Sequence, residues 1–126
     1  MDERILIQRT KEFDKEIILL CRGLPGNREG RLIGDQLFRS GTSVAANYRA
    51  ACRGRSKAEF VSKLAIVVEE ADEAQFWLEL IKEMKISSDQ IVNQLIKEAD
   101  ELVAIFVASI KTTKSNLKSK IQNPKS

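Results

Sequence analysis

Histidine is absent from all 126 residues, and that absence removes more chemistry than any other feature of the chain. It takes away the commonest general base and metal ligand at neutral pH, the histidine-centred triads of acyl transfer and the Glu-x-x-His pattern by which some helical bundles hold two metal ions. Two prolines and six glycines are too few to punctuate a turn-rich β fold, and they favour long helices. No run approaches the roughly 18–20 apolar residues of a membrane span, so no membrane is expected as a partner. The opening MDERILIQRTKEFDKE carries charge on both sides of a short apolar patch, unlike a cleaved secretory leader. A cytoplasmic protein is the expectation.

Cysteine is scarce too. Cys21 and Cys52 fall near the far ends of successive antiparallel helices, roughly 30 Å apart at the helical rise per residue. A disulfide needs Cα atoms within about 7 Å, so both are expected to be reduced and to act as small buried hydrophobes. Neither has a histidine to activate it. The run Glu69-Glu70-Ala71-Asp72-Glu73 is dense in carboxylates, but successive helical positions fan around the axis and do not converge on an ion. Arg28-Glu29-Gly30-Arg31 is not a phosphate loop, and no glycine-rich nucleotide motif follows a strand. No catalytic, cofactor-binding or metal residue is expected, and no cofactor. The chain does not read as an enzyme.

What is present is helical patterning on a chain long enough for one domain with a real core. Hydrophobic residues make up 43% and charged residues 31%. A first helix is predicted from about Arg4 to Arg22, with Leu6, Thr10, Phe13, Ile17, Leu20 and Leu24 at three- and four-residue steps. Gly23-Leu24-Pro25-Gly26-Asn27 stops it. A second helix from about Gly30 to Arg53 places Gly34, Leu37, Gly41, Val44, Tyr48 and Cys52 on one side, flanked by Phe38 and Ala45. Its two glycines weaken a helix by about 1 kcal/mol each, so a neighbouring helix is expected to approach its backbone closely.

After Arg53-Gly54-Arg55, the run Ser56-Lys57-Ala58-Glu59 matches a capping box. A third helix is predicted from about Lys57 to Lys85, with an inner seam of Phe60, Leu64, Val67, Ala71, Ala74 and Leu78. Ser87-Ser88-Asp89-Gln90 opens a fourth helix carrying Ile91, Leu95, Ala99, Leu102, Phe106 and Ile110. Beyond Lys111 the basic, apolar-poor sequence is expected to fray. The domain reading is therefore a bundle over residues 1–110, then a basic helix end and flexible tail over 111–126. Short connections between four amphipathic helices predict an all-α, antiparallel up-and-down four-helix bundle.

The third helix has more apolar side chains than one seam uses. Ile66, Phe76, Trp77, Leu80 and Met84 point away from the inner seam, rimmed by Glu69, Glu73 and Glu83. Large exposed apolar patches are rare on monomers, so these five are candidate contacts of a homo-oligomer. The alternative is a wide core in which the fourth helix and tail cover them.

Charge is polarised along the chain. Residues 22–57 carry a net +6 and residues 58–83 a net −5. Arg31, Arg39, Arg49 and Arg53 share one flank of the second helix, and Arg55 and Lys57 extend the cluster over the next turn. Arg49 and Arg53 are like charges four apart, unfavourable by roughly 0.2–0.5 kcal/mol in isolation. Either nucleic-acid phosphate compensates them, or the acidic third helix of the same or a neighbouring subunit does. Tyr48 lies on the core seam, so no platform for base stacking stands beside these cations. Any binding to RNA or DNA is expected to be led by charge and shape.

The block from Phe38 to Arg49, FRSGTSVAANYR, followed by Arg55-Ser56-Lys57-Ala58-Glu59-Phe60, Glu69-Glu70-Ala71-Asp72-Glu73 and Trp77-Leu78-Glu79-Leu80, resembles the small four-helix-bundle proteins encoded in intervening sequences of bacterial large-subunit ribosomal RNA genes. The resemblance spans roughly residues 4–110. It implies a four-helix bundle and a homopentameric, barrel-like ring, and it transfers no catalytic residues. A related group is the accessory protein of diversity-generating retroelements, which binds nucleic acid and a reverse transcriptase. Many family members have proline where this chain has Ala45, which predicts a straighter second helix here. The expected function is a non-enzymatic homo-oligomer with weak, charge-led affinity for RNA or DNA. The alternative is a protein–protein interaction scaffold whose arginines pair with the acidic helix of a neighbouring subunit.

Overall fold

The computed structural model describes residues 2–122, with side chains for residues 2–119. Four helices account for nearly all of it: α1 (Glu3–Arg22), α2 (Arg28–Cys52), α3 (Lys57–Glu83) and α4 (Ile91–Gln122). No strand occurs among the described residues. Each N-terminus has a side-chain cap. Asp2 Oδ1 accepts from the Arg4 amide at 2.7 Å, Asn27 Oδ1 from Gly30 at 2.9 Å, Ser56 Oγ from Glu59 at 3.1 Å, and Asp89 Oδ1 from Ile91 at 3.0 Å. These bonds satisfy amide donors that a helix start otherwise leaves free. At the end of α3, Lys85 adopts φ 55° and the Ile86 amide returns to the Ile81 carbonyl at 2.9 Å. That left-handed stop lays Ile86 on the core.

Helices adjacent in sequence pack together: α2 lies between α1 and α3, and α3 packs on α4, while α1 and α4 meet more lightly. The core is drawn from all four, with Phe13, Ile17, Leu37, Val44, Leu64, Val67, Leu78, Ile81, Leu102 and Phe106 all but fully buried. Tyr48 stacks on Phe106 with ring centroids 5.0 Å apart, joining α2 to α4.

The two glycines of the α2 seam have different neighbours. A Cβ on Gly41 would lie 2.7 Å from Ile17 Cγ2, so α1 presses directly on the α2 backbone there. At Gly34 the nearest atom is Leu24 Cδ1, from the α1–α2 connection, at 3.1 Å. The close helix approach is thus real at one glycine, and a loop side chain fills the space at the other.

The lighter α1–α4 seam is closed by charge. Arg9 Nε and Nη2 donate to the two Glu98 carboxylate oxygens at 2.7 and 2.6 Å, and Nη2 also reaches Glu101 at 2.7 Å. A two-pronged guanidinium–carboxylate contact of this kind fixes orientation as well as distance.

Past Lys111 the backbone is still helical. α4 continues to Gln122, since no glycine or proline interrupts it and Ile110, Thr113 and Leu117 keep the three- and four-residue step along one half-buried flank. The last part of the expected tail, residues 123–126, lies outside the described residues.

Candidate nucleic-acid interface

The predicted basic residues do not form one surface. The flank of α2 that carries them is the boundary between two neighbouring helices, and the structure divides them. Arg39 turns toward α3, where Nη1 donates to Glu70 at 3.3 Å and Nη2 bonds to Glu73. The Glu73 carboxylate also accepts the Trp77 indole N–H at 3.0 Å. These bonds, Arg39 first and Trp77 second, hold the Glu73 carboxyl below its ordinary range. Acidic compensation therefore occurs at Arg39, and within a single chain.

Arg49 turns the other way. It lines a groove of about 530 Å³ between α1 and α2 together with Lys11 and Lys15 of α1. Thr42, Ala45 and Ala46 contribute the rest of the α2 wall, and Ile7, Asp14 and Ile18 that of α1. Lys15 keeps an exposed contact with Glu12 at 3.3 Å, while Lys11 and Arg49 have no ion-pair partner among the described residues. Arg31 lies farther along the same face. It donates to the Gly26 carbonyl at 3.0 Å and lines a second groove with Arg22, Asp35 and Phe38. Arg53, Arg55 and Lys57 project from the α2–α3 turn, all exposed.

Sequence reasoning missed Lys11 and Lys15, because only helix pairing brings α1 beside Arg49. It also missed Asp14. One Asp14 carboxylate oxygen, Oδ2, accepts from the Ala45 amide at 3.2 Å, while the other is buried without a partner. Burial pushes this carboxyl up to about 7, against the smaller downward pull of the Ala45 bond. α2 runs unbroken through Ala45, and the amide that meets Asp14 is one a proline would lack.

The five apolar candidates on α3 split as well. Ile66, Phe76 and Met84 are exposed, at 42, 52 and 61%. Trp77 and Leu80 are half-buried; Trp77 lies against the core and meets Phe76 edge-on at 5.0 Å. Trp77 is thus partly withdrawn from solvent, while Ile66, Phe76 and Met84 face it. Ile5 and Leu19 on α1, and Leu32 and Phe38 on α2, are exposed too.

Both thiols are free and half-buried. Burial, and secondarily the charge of Asp35, pushes the Cys21 thiol up to about 11, and burial also raises Cys52. Neither is poised as a nucleophile. Among the described residues no three His, Cys, Asp or Glu side chains could together hold a metal ion. No helix there is long and apolar enough to cross a membrane.

The architecture and surface define a histidine-free helical bundle with a split basic face. The chain belongs to the 23S rRNA-intervening sequence protein family, whose pattern it matches over residues 2–108. Its fold is similar to that of a crystallised protein of unknown function from the S23 ribosomal protein family of Bacteroides thetaiotaomicron VPI-5482. The two share 29% identity with a TM-score of 0.80, over 88% of this chain and 99% of that one. No protein of curated function matches.

Proposed function

We propose that this protein is a non-enzymatic, homo-oligomeric helical bundle that binds RNA or DNA weakly through phosphate contacts. The observation that carries this reading is the set of exposed cations without acidic partners on α2 and its following turn: Arg31, Arg49, Arg53, Arg55 and Lys57. Arg39 belongs to the same run, but its charge is largely answered by Glu70 and Glu73. Unpaired surface cations favour backbone contact over base readout. Filter binding at low salt tests this. Changing Arg49, Arg53 and Arg55 together to alanine should weaken binding at least tenfold, and a wild-type protein that retains no nucleic acid contradicts the proposal.

We further read the bundle as antiparallel and up-and-down. Along α1, Asp14 meets Ala45 and Ile17 meets Gly41, so partner numbers fall as the chain advances. The α1–α4 seam behaves likewise: Arg9 pairs with Glu98 and Glu101, whereas Glu16 shares a groove with Ile91 and Gln94.

The subunit contact is assigned to the solvent-facing stripe of Ile66, Phe76 and Met84, bordered by the half-buried Trp77 and Leu80. A ring of five subunits is what the family resemblance implies. Light scattering coupled to size exclusion should give a single assembly larger than a monomer, and Phe76→Glu with Met84→Glu should dissociate it. A wild-type monomer removes the interface.

A second reading is favoured by one observation, the Arg39–Glu70–Glu73 cluster. It makes the protein an interaction scaffold whose remaining arginines meet carboxylates of a neighbouring subunit or a partner protein. It predicts that reversing Glu69 and Glu83 dissociates the assembly and that the wild-type protein retains no nucleic acid.

A further inference from the structure

We infer that the groove between α1 and α2 holds a nucleic-acid phosphate between Lys11, Lys15 and Arg49, and that Asp14 at its base makes this binding proton-linked. The inference rests on the nucleic-acid reading above and adds a site, two α1 residues and a mode of regulation to it.

Three cations from two helices line one groove, and the single carboxylate among the lining residues, Asp14, forms an ion pair with none of them. It is turned into the helix seam, held by the Ala45 amide, with its second oxygen buried and unpartnered. The groove therefore presents positive charge outward over a half-buried acid. Lys11 and Lys15 are point charges on flexible stems, and Arg49 adds a planar fork suited to phosphate oxygens. Thr42, whose hydroxyl donates to the Phe38 carbonyl at 2.6 Å, places an oxygen on the same wall.

The charged groups that line the groove with Asp14 are Lys11 and Lys15 on its own helix and Arg49 on α2; no lining residue comes from α3 or α4. An anion in the groove disfavours the ionised form of Asp14. By reciprocity, protonation of Asp14 favours the anion by the same factor. Burial already brings this carboxyl to about 7, so the linkage falls in the neutral range. The chain has no histidine, so no other side chain of ordinary pKa titrates between about pH 5 and 8. The terminal amine does titrate near the upper end of that range, and comparison with Asp14→Asn cancels it. Asparagine keeps an acceptor for the Ala45 amide while removing the charge.

The test is fluorescence anisotropy of the full chain with a labelled single-stranded RNA at low salt. Wild-type affinity should rise about three- to tenfold as pH falls from 8 to 6, within the tenfold per pH unit that one linked proton allows. Asp14→Asn should bind at pH 8 nearly as tightly as wild type does at pH 6, keeping only the small pH dependence of the terminal amine. Lys11→Ala with Lys15→Ala should weaken binding at least as much as Arg49→Ala. If Arg53→Ala and Arg55→Ala weaken binding while the lysine pair does not, the groove is the wrong site and the broader reading stands. A wild-type protein that binds no RNA overturns both. An Asp14→Asn variant with the wild-type pH profile overturns the linkage. Should that variant fold poorly, carboxyl NMR of the wild type decides: the Asp14 midpoint must rise on adding RNA, and an unchanged midpoint refutes the coupling.

Discussion

On its α3 side, α2 meets a surface of opposite charge; on its α1 side, it meets one of like charge. Arg39 is answered across the first boundary by Glu70 and Glu73. Across the second, Arg49 faces Lys11 and Lys15, and the only carboxylate lining the groove is turned inward. The two boundaries also pack differently. The α1 side is drawn close by Gly41, where Ile17 occupies the space a side chain would need. One flank of one helix thus supplies a structural ion pair and an unneutralised groove. Charge along the sequence does not distinguish them, because neutralisation depends on which neighbour each arginine turns toward.

The largest effect is expected where the α1 side is tightest. Gly41→Ala gains helix propensity, yet its Cβ would overlap Ile17. Overpacking should dominate, with a net loss of about 1–3 kcal/mol in urea denaturation. Gly34→Ala meets only the flexible end of Leu24 at 3.1 Å and should be close to neutral. Equal losses at both glycines would dissolve the packing half of the contrast.

Asp14 comes next. Its carboxyl lies at about 7 in the folded chain against an ordinary value of 3.8, so the native state holds the proton more tightly than the unfolded one. The stability this contributes is fully present below about pH 4 and is lost as pH rises through about 7. Thermal midpoints should therefore fall between pH 5 and 8, and Asp14→Asn should flatten that decline. A wild-type midpoint that climbs over this interval contradicts the assignment.

The smallest stability effect belongs to the α3 side. The Arg39 side chain is half exposed, and ion pairs this close to solvent contribute little. Arg39→Ala should leave the melting midpoint nearly unchanged and should alter nucleic-acid binding far less than Arg49→Ala. A large loss of binding at Arg39 alone would erase the distinction between the two sides.

Much of the fold was legible because its punctuation is chemical. Gly23 to Asn27 ends α1, the Ser56–Glu59 capping box starts α3 with the expected bond, and three- and four-residue steps mark the inner seams. α4 continues past Lys111 as a basic helix end, because nothing there breaks a helix. The site was only half legible. A helical wheel collects Arg31, Arg39, Arg49 and Arg53 on one flank, but it cannot show that the flank straddles two neighbours. Lys11, Lys15 and Asp14 became visible only once α1 was laid against α2. Trp77 looked outward by angle alone, and the nearby Glu73 carboxylate, accepting its indole N–H, helps hold it against the core.

The salt dependence of RNA binding reaches the central claim most directly, because each phosphate a cation neutralises steepens the fall of affinity with salt. The triple change of Lys11, Lys15 and Arg49 to alanine should reduce the slope of log affinity against log salt by about 2, while Arg39→Ala leaves it at the wild-type value. A triple variant with the wild-type slope, or an Arg39 variant with the same reduction, would contradict the account.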